Sequence, residues 1–206
     1  MIPAGQFVTI DGIGGAGKTT IAHHVVALLQ ERDHRAVYTR EPSDSALGTF
    51  LRTHFDTIEG HALACLVTAD RLDHVAGVIN PAVQAHTTVI CDRYIAASMV
   101  LQPLDGVPTA YIEHLNAPAR RPDLAVVLSV DAQTAWSRVS QRGSHGRFET
   151  SPDQFRAEHT AYQHVTTTLR QRSWNIHTID TTAATITDVA SRIVDLMEDR
   201  QHHGAQ

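Results

Sequence analysis

Residues Gly12-Ile13-Gly14-Gly15-Ala16-Gly17-Lys18-Thr19 place four glycines, a lysine and a hydroxyl within eight positions. A loop so poor in side chains turns its backbone N–H groups toward whatever it wraps, and a cluster of such donors suits an anion. The spacing G-x-x-x-x-G-K-[ST] is that of a loop cradling nucleotide phosphates, with Lys18 reaching the β- and γ-phosphates and Thr19 offering its hydroxyl to Mg²⁺. Gly12, Gly14 and Gly17 also spell G-x-G-x-x-G, the dinucleotide-binding pattern, which does not require Lys-Thr after its last glycine. Of the 17 lysines and arginines in the chain, Lys18 is the single lysine. Its position favours the phosphate loop over both the dinucleotide pattern and a glycine turn with a surface lysine. A lone lysine also excludes a GTPase Asn-Lys-x-Asp motif and a protein kinase, whose strand lysine lies well beyond its glycine loop.

Further charged groups follow apolar runs. Arg40-Glu41-Pro42 and Asp92-Arg93-Tyr94 each come directly after one, and strand ends are where open α/β sheets bind ligands. Arg40 and Arg93, with Arg52, can grip a second anion through forked hydrogen bonds, and Asp92 can hold Mg²⁺ through water. Each arginine alone reads equally well as half of a surface ion pair; their recurrence at strand ends favours binding. The segment from Arg142 through Gly143, Gly146 and Arg147 to Glu149 reads as a flap bringing positive charge to a transferring phosphoryl group, with a solvated loop as the alternative. The 14 histidines show no metal spacing: His23 and His24 are adjacent, and His159 and His164 miss the i, i+4 interval. No nucleophile-elbow pattern surrounds a serine. Trp136 and Trp174 read as packing residues.

The elements that must position these groups alternate. Strands are expected at 6–11, 36–40, 88–92, 124–130 and 175–179. Helices are expected at 19–31, 45–55, 59–86 with a break or kink at Pro81, 109–116, 132–141, 152–172 and 186–199. The segment 63–79 reads mainly as core, with a face that could be buried in a dimer. Residues 102–108 and 142–152 read as mobile loops. The runs at 88–92 and 124–130 lack polar alternation, so both faces must be covered, as in a parallel sheet. The expectation is an α/β, P-loop NTPase-type three-layer fold: a five-stranded parallel sheet with helices on both faces and a short lid at about 142–152. With 206 residues and no interdomain linker, a single domain over 1–206 is expected. A net charge of −5 argues against a basic nucleic-acid coat, and no apolar run reaches membrane length. Cys65 and Cys91 read as buried free thiols of a reducing compartment, hence a cytoplasmic protein.

The order of motifs resembles the thymidylate kinase family of P-loop nucleoside monophosphate kinases over nearly the whole chain. Phe7 to Gly12 continuing through Lys18-Thr19-Thr20, then Thr39-Arg40-Glu41-Pro42, Ala69-Asp70-Arg71, Asp92-Arg93-Tyr94, Arg121-Pro122-Asp123-Leu124 and Arg147-Phe148-Glu149 follow in that family's order. The resemblance implies that Gly12, Gly14, Gly15, Ala16, Gly17, Lys18, Thr19 and Thr20 hold the ATP phosphates, and that Arg40, Arg52 and Arg93 hold an acceptor monophosphate. It further implies that Arg71 contacts the base, and that Arg142 and Arg147 act from the lid, as in the bacterial subtype. The chain departs from the family where the nucleoside is recognised. Gly14 stands where an acid is usual, Val67 where an aromatic ring stacks on the base, and Leu101 where a tyrosine lies near the sugar. Ser98 can still hydrogen-bond a base edge, and Leu101 still supplies an apolar wall.

The expected activity is Mg²⁺-dependent transfer of the ATP γ-phosphoryl group to a nucleoside monophosphate, thymidylate or a related or modified pyrimidine deoxynucleotide. Lys18, Arg93, Arg142 and Arg147 are the expected catalytic groups, and Thr19 and Asp92 the metal ligands. The alternative is an ATP-binding regulator without productive acceptor binding. A homodimer is expected, with no nucleic-acid polymer and no membrane among its partners.

Overall fold

β1 (Phe7–Gly12), β3 (Thr88–Asp92) and β4 (Leu124–Ser129) form the centre of the sheet, and all of their residues except Ser129 are buried. Strands buried on both faces need a continuous apolar run rather than alternation, as in the Leu-Ala-Val-Val-Leu of β4. β2 (Ala36–Arg40) and β5 (Ile176–Asp180) lie at the edges, and past a buried first residue each is half-buried or exposed throughout. The order is β2-β3-β1-β4-β5 with every pair parallel. This computed structural model describes residues 2–142 and 151–199. The expected lid therefore falls mostly outside the described residues: Arg147 is not among them, and of Arg142 only the backbone is.

α1 (Lys18–Glu31) and α9 (Ile186–Asp199) pack together over one face; α5 (Ile95–Leu104) and α8 (Pro152–Gln171) pack together over the other. α2 (Ala46–His54) leans on α3 (Gly60–His74), which in turn meets α5 and α6 (Thr109–Asn116). α7 (Ala132–Arg142) packs on α8, where Trp136 meets Phe155 edge to face. Caps follow sequence where they are local. Ser45 Oγ accepts from Gly48 N at 3.1 Å to open α2, and Ser151 Oγ accepts from Gln154 N at 3.3 Å to open α8.

Three differences from the sequence reading have physical causes. Where a break or kink was expected at Pro81, α3 runs into a π-helical turn, Val75–Ile79, and then into α4 (Asn80–Gln84), with Pro81 in its first turn. A proline there needs no N–H, and the wider turn before it absorbs the change of pitch. Residues 102–104, expected in a loop, close the unforeseen helix α5. Seven of its ten residues are buried, so it carries no amphipathic signal. Cys91 is buried as expected but Cys65 is exposed, its Sγ 3.2 Å from the Tyr111 hydroxyl of α6.

Candidate active site

The phosphate loop leaves β1 at Gly12, whose φ of 140° is open to glycine alone; a Cβ there would lie 2.3 Å from the Leu128 carbonyl oxygen. The loop ends at Gly17, in the left-handed region at φ 86°, as the N-cap of α1. Lys18 is buried, and its Nζ donates to the carbonyls of Gly12 and Ile13, both at 2.8 Å. These bonds hold the cation across the mouth of its own loop.

One step along α1, Thr19 Oγ1 donates to Asp92 Oδ2 at 2.5 Å. The other oxygen, Asp92 Oδ1, is buried without a hydrogen-bond partner among the described residues. A hydroxyl beside an unsatisfied carboxylate oxygen is a hard-oxygen donor set, the kind Mg²⁺ takes together with water and phosphate oxygens. Arg93 follows with φ 70°, its N–H held by the Ile10 carbonyl at 3.0 Å and its Nη1 unpartnered among the described residues. Burial opposes the Arg93 charge, but Tyr162, Asp92 and Glu158 around it outweigh burial and raise its pKa.

A cavity of about 560 Å³ runs from this loop into the space between α2, α3 and α5. All seven residues expected to bind substrate, Arg40, Arg52, Val67, Arg71, Arg93, Ser98 and Leu101, line it, as do Gly15, Lys18, Thr19, Thr20 and Asp92. Gly17 lines it too, whereas Gly12, Gly14 and Ala16 do not.

At the inner end Arg71 is buried to 1% exposure. Its Nε donates to Glu41 Oε2 at 2.8 Å, its Nη2 to Ser98 Oγ at 2.9 Å, and its Nη1 to Asn116 Oδ1 at 2.5 Å. Its guanidinium also lies 5.0 Å from the centre of the Tyr94 ring. Burial would weaken this cation, but Glu41 more than compensates and raises its pKa. Asp70, next to Arg71 in sequence, accepts from Ser43 N at 2.7 Å and Ser43 Oγ at 2.5 Å. One turn of α3 thus anchors both the loop after β2 and the innermost cation. Gln102 donates from Nε2 to Ser98 Oγ at 3.4 Å, and its Oε1 is buried without a partner among the described residues.

Arg40 and Arg52 stand on the rim and share the carboxylate of Asp44, at 2.8 and 3.4 Å. Arg52 also holds the carbonyls of Pro42, at 2.6 Å, and Ser43. The pairs to Asp44 are exposed and so weakly held; an entering phosphate can replace that carboxylate. Glu41, His74 and Cys91 bring possible ligand atoms within 4.8 Å of one another. They are already used internally: Glu41 by Arg71, and His74 by Thr39 Oγ1 at 2.7 Å and Glu41 at 3.4 Å. Burial pushes the Cys91 thiol well above its ordinary pKa.

The thymidylate kinase family model matches residues 10–193. The probable thymidylate kinase of Caldivirga maquilingensis is 35% identical over 198 residues, covering 94% of each chain. The thymidylate kinase of Desulfovibrio desulfuricans is 36% identical over 161 residues, covering 70% of this chain and 74% of its own. The chain belongs to the thymidylate kinase family. It is by that membership a nucleoside monophosphate kinase, a phosphotransferase. No helix among the described residues is long and apolar enough to cross a membrane.

Sequence reasoning assigned no role to Gln102, Asn116, Tyr38 or Asp11. Tyr38 lines the cavity, and His23 stacks on its ring at 4.0 Å. The partners that tie Asn116 and Asp11 to this site, Arg71 and Tyr94, lie 45 and 83 residues away.

Proposed function

We propose that this thymidylate kinase family member transfers the γ-phosphoryl group of ATP to thymidylate or a related 5-substituted pyrimidine deoxynucleotide, giving the diphosphate. The observation that carries this reading is the continuity of one cavity, with phosphate-binding groups at one end and a hydrogen-bonding base edge at the other. Ser98 Oγ already accepts from Arg71 and Gln102, so its own proton is available to donate. Arg71 keeps a further Nη1 N–H, and Gln102 Oε1 can accept. Donors beside an acceptor fit a 4-keto pyrimidine, whose O4 accepts and whose N3–H donates. Cytosine reverses both groups and would leave the site's polar atoms mispaired. Val67 in place of a ring leaves room for a bulkier base substituent.

In this reading the loop amides and Lys18 hold the donor phosphates, Lys18 exchanging its two carbonyl partners for phosphate oxygens. Thr19 and Asp92 would hold Mg²⁺, which when bound neutralises charge on those phosphates. Arg93, with Arg40 and Arg52, grips the acceptor phosphate and sets its oxygen in line with the transferring group. Arg142 and Arg147 close over the donor from the lid at 142–152, within one kinase domain. A phosphate acceptor is already an anion at neutral pH, so catalysis is positioning and charge neutralisation without a general base.

We also propose a cytoplasmic homodimer joined along α3. Ala62, Cys65 and Ala69 are exposed at helical spacing on α3, and Ala76 continues that row into the π-helical turn. Sedimentation as a monomer at assay concentration would remove this element. The activity is tested by ADP release with ATP and Mg²⁺ against thymidylate, deoxyuridylate, 5-hydroxymethyldeoxyuridylate, deoxycytidylate and purine monophosphates. Turnover with the 4-keto pyrimidines and poor turnover with deoxycytidylate is expected. ATP binding with silence across the panel would favour an ATP-binding regulator, a reading drawn from Gly14, Val67 and Leu101.

A further inference from the structure

Helix α5 carries the acceptor end of the cavity: Ser98, Leu101 and Gln102 lie on it, and Arg93 lies just before it. The first-turn N–H groups of a buried helix need partners, yet its N-cap residue, Tyr94, provides no side-chain cap. The partner comes from another strand. Asp11 Oδ1, at the end of β1, accepts from Tyr94 N and from Ala97 N, both at 3.0 Å. Asp11 is 1% exposed, so bulk water does not substitute for it.

The next residue, Gly12, gives its carbonyl to Lys18 Nζ. One dipeptide therefore touches the donor-side lysine through its backbone and the acceptor helix through a side chain. The guanidiniums of Arg93 and Arg71 act on the same carboxylate from the β3–α5 junction and α3, and burial together with that carboxylate pushes the Tyr162 phenol of α8 up.

We propose that Asp11 is a positioning residue for the acceptor site: its carboxylate caps α5 and fixes that helix, with Ser98 and Gln102, in register with the phosphate loop. The requirement is for an oxygen acceptor at this point rather than for a charge. Asparagine keeps that oxygen and alanine removes it. The kinetic readout rests on the proposed transfer to thymidylate, whereas the structural readout does not depend on the acceptor's identity.

The test compares Asp11→Ala and Asp11→Asn in the full chain. Amide hydrogen exchange at Tyr94 and Ala97 is read by NMR without nucleotide, and KM is measured for thymidylate and for ATP. In Asp11→Ala both amides should exchange at least about a hundredfold faster. The thymidylate KM should rise at least about tenfold while the ATP KM stays within about threefold. Asp11→Asn should restore both readouts. Unchanged exchange in Asp11→Ala, an equal rise in both KM values, or failure of Asp11→Asn to rescue would each overturn the proposal. Should Asp11→Ala not fold, Asp11→Asn and the wild-type amides decide: fast exchange of both amides in the wild type overturns it. A wild-type protein inactive on thymidylate would sink the transfer reading alone, leaving the exchange experiment to judge Asp11.

Discussion

Lys18, Thr19, Asp92 and Arg93 stood out in the sequence because each falls in a short contiguous string beside a strand end, and the fold brings all four to one cavity. The surroundings of Arg71 are assembled differently. Arg71 meets Glu41, Ser98 and Asn116 from three separate elements, and only the arginine and serine stood out before the fold was known. Val67 is the residue at which affinity is most open to change. It lines the cavity where a ring could stack on a base, and an aromatic contact contributes about 1 kcal/mol beyond area burial. Val67→Phe should therefore lower the thymidylate KM about fivefold, since 1.4 kcal/mol corresponds to about tenfold. The same change should raise the KM for 5-hydroxymethyldeoxyuridylate by filling the added space. Steady-state kinetics on both acceptors checks this; a rise in both would mean that the base lies elsewhere.

At the scale of elements, β1, β3 and β4 could be read from composition because a strand buried on both faces is a plain apolar run. Helix α5 could not. Its burial erases the polar face that marks a helix, and its cap is supplied from β1. That cap has a consequence for stability. Burial pushes the Asp11 pKa up to about 6, against the opposing pull of the Tyr94 and Ala97 amides and of Arg93 and Arg71. The folded protein then binds more protons than the unfolded chain between about pH 4 and pH 6, so this group subtracts stability as pH rises through that window. Its cost at neutral pH is at most roughly 3 kcal/mol. Asp11→Asn removes the titration while keeping the oxygen. Its unfolding midpoint should lie at or above that of the wild type at pH 7.5, with the gain shrinking toward pH 4. A variant less stable than the wild type at pH 7.5 would show that the charge itself supports the fold.

Across the whole molecule, the order β2-β3-β1-β4-β5 brings the ends of β1, β2 and β3 together, and those ends carry the phosphate loop, the Arg40 segment and the Asp92-Arg93 pair. That convergence was legible as alternating strands and helices. The path of the cavity onward between α2, α3 and α5 was not, because it depends on how helices lean on one another rather than on any local pattern. The central claim is that a phosphoryl group crosses this cavity from ATP to thymidylate under the control of Lys18. The most direct measurement is a single turnover with γ-labelled ATP, Mg²⁺ and thymidylate, comparing the wild type with Lys18→Ala. The wild type should place the label on thymidine diphosphate, and the variant should do so about 10²–10³-fold more slowly with an unchanged circular dichroism spectrum. Label appearing as inorganic phosphate, or equal transfer by a folded Lys18→Ala protein, would contradict the account.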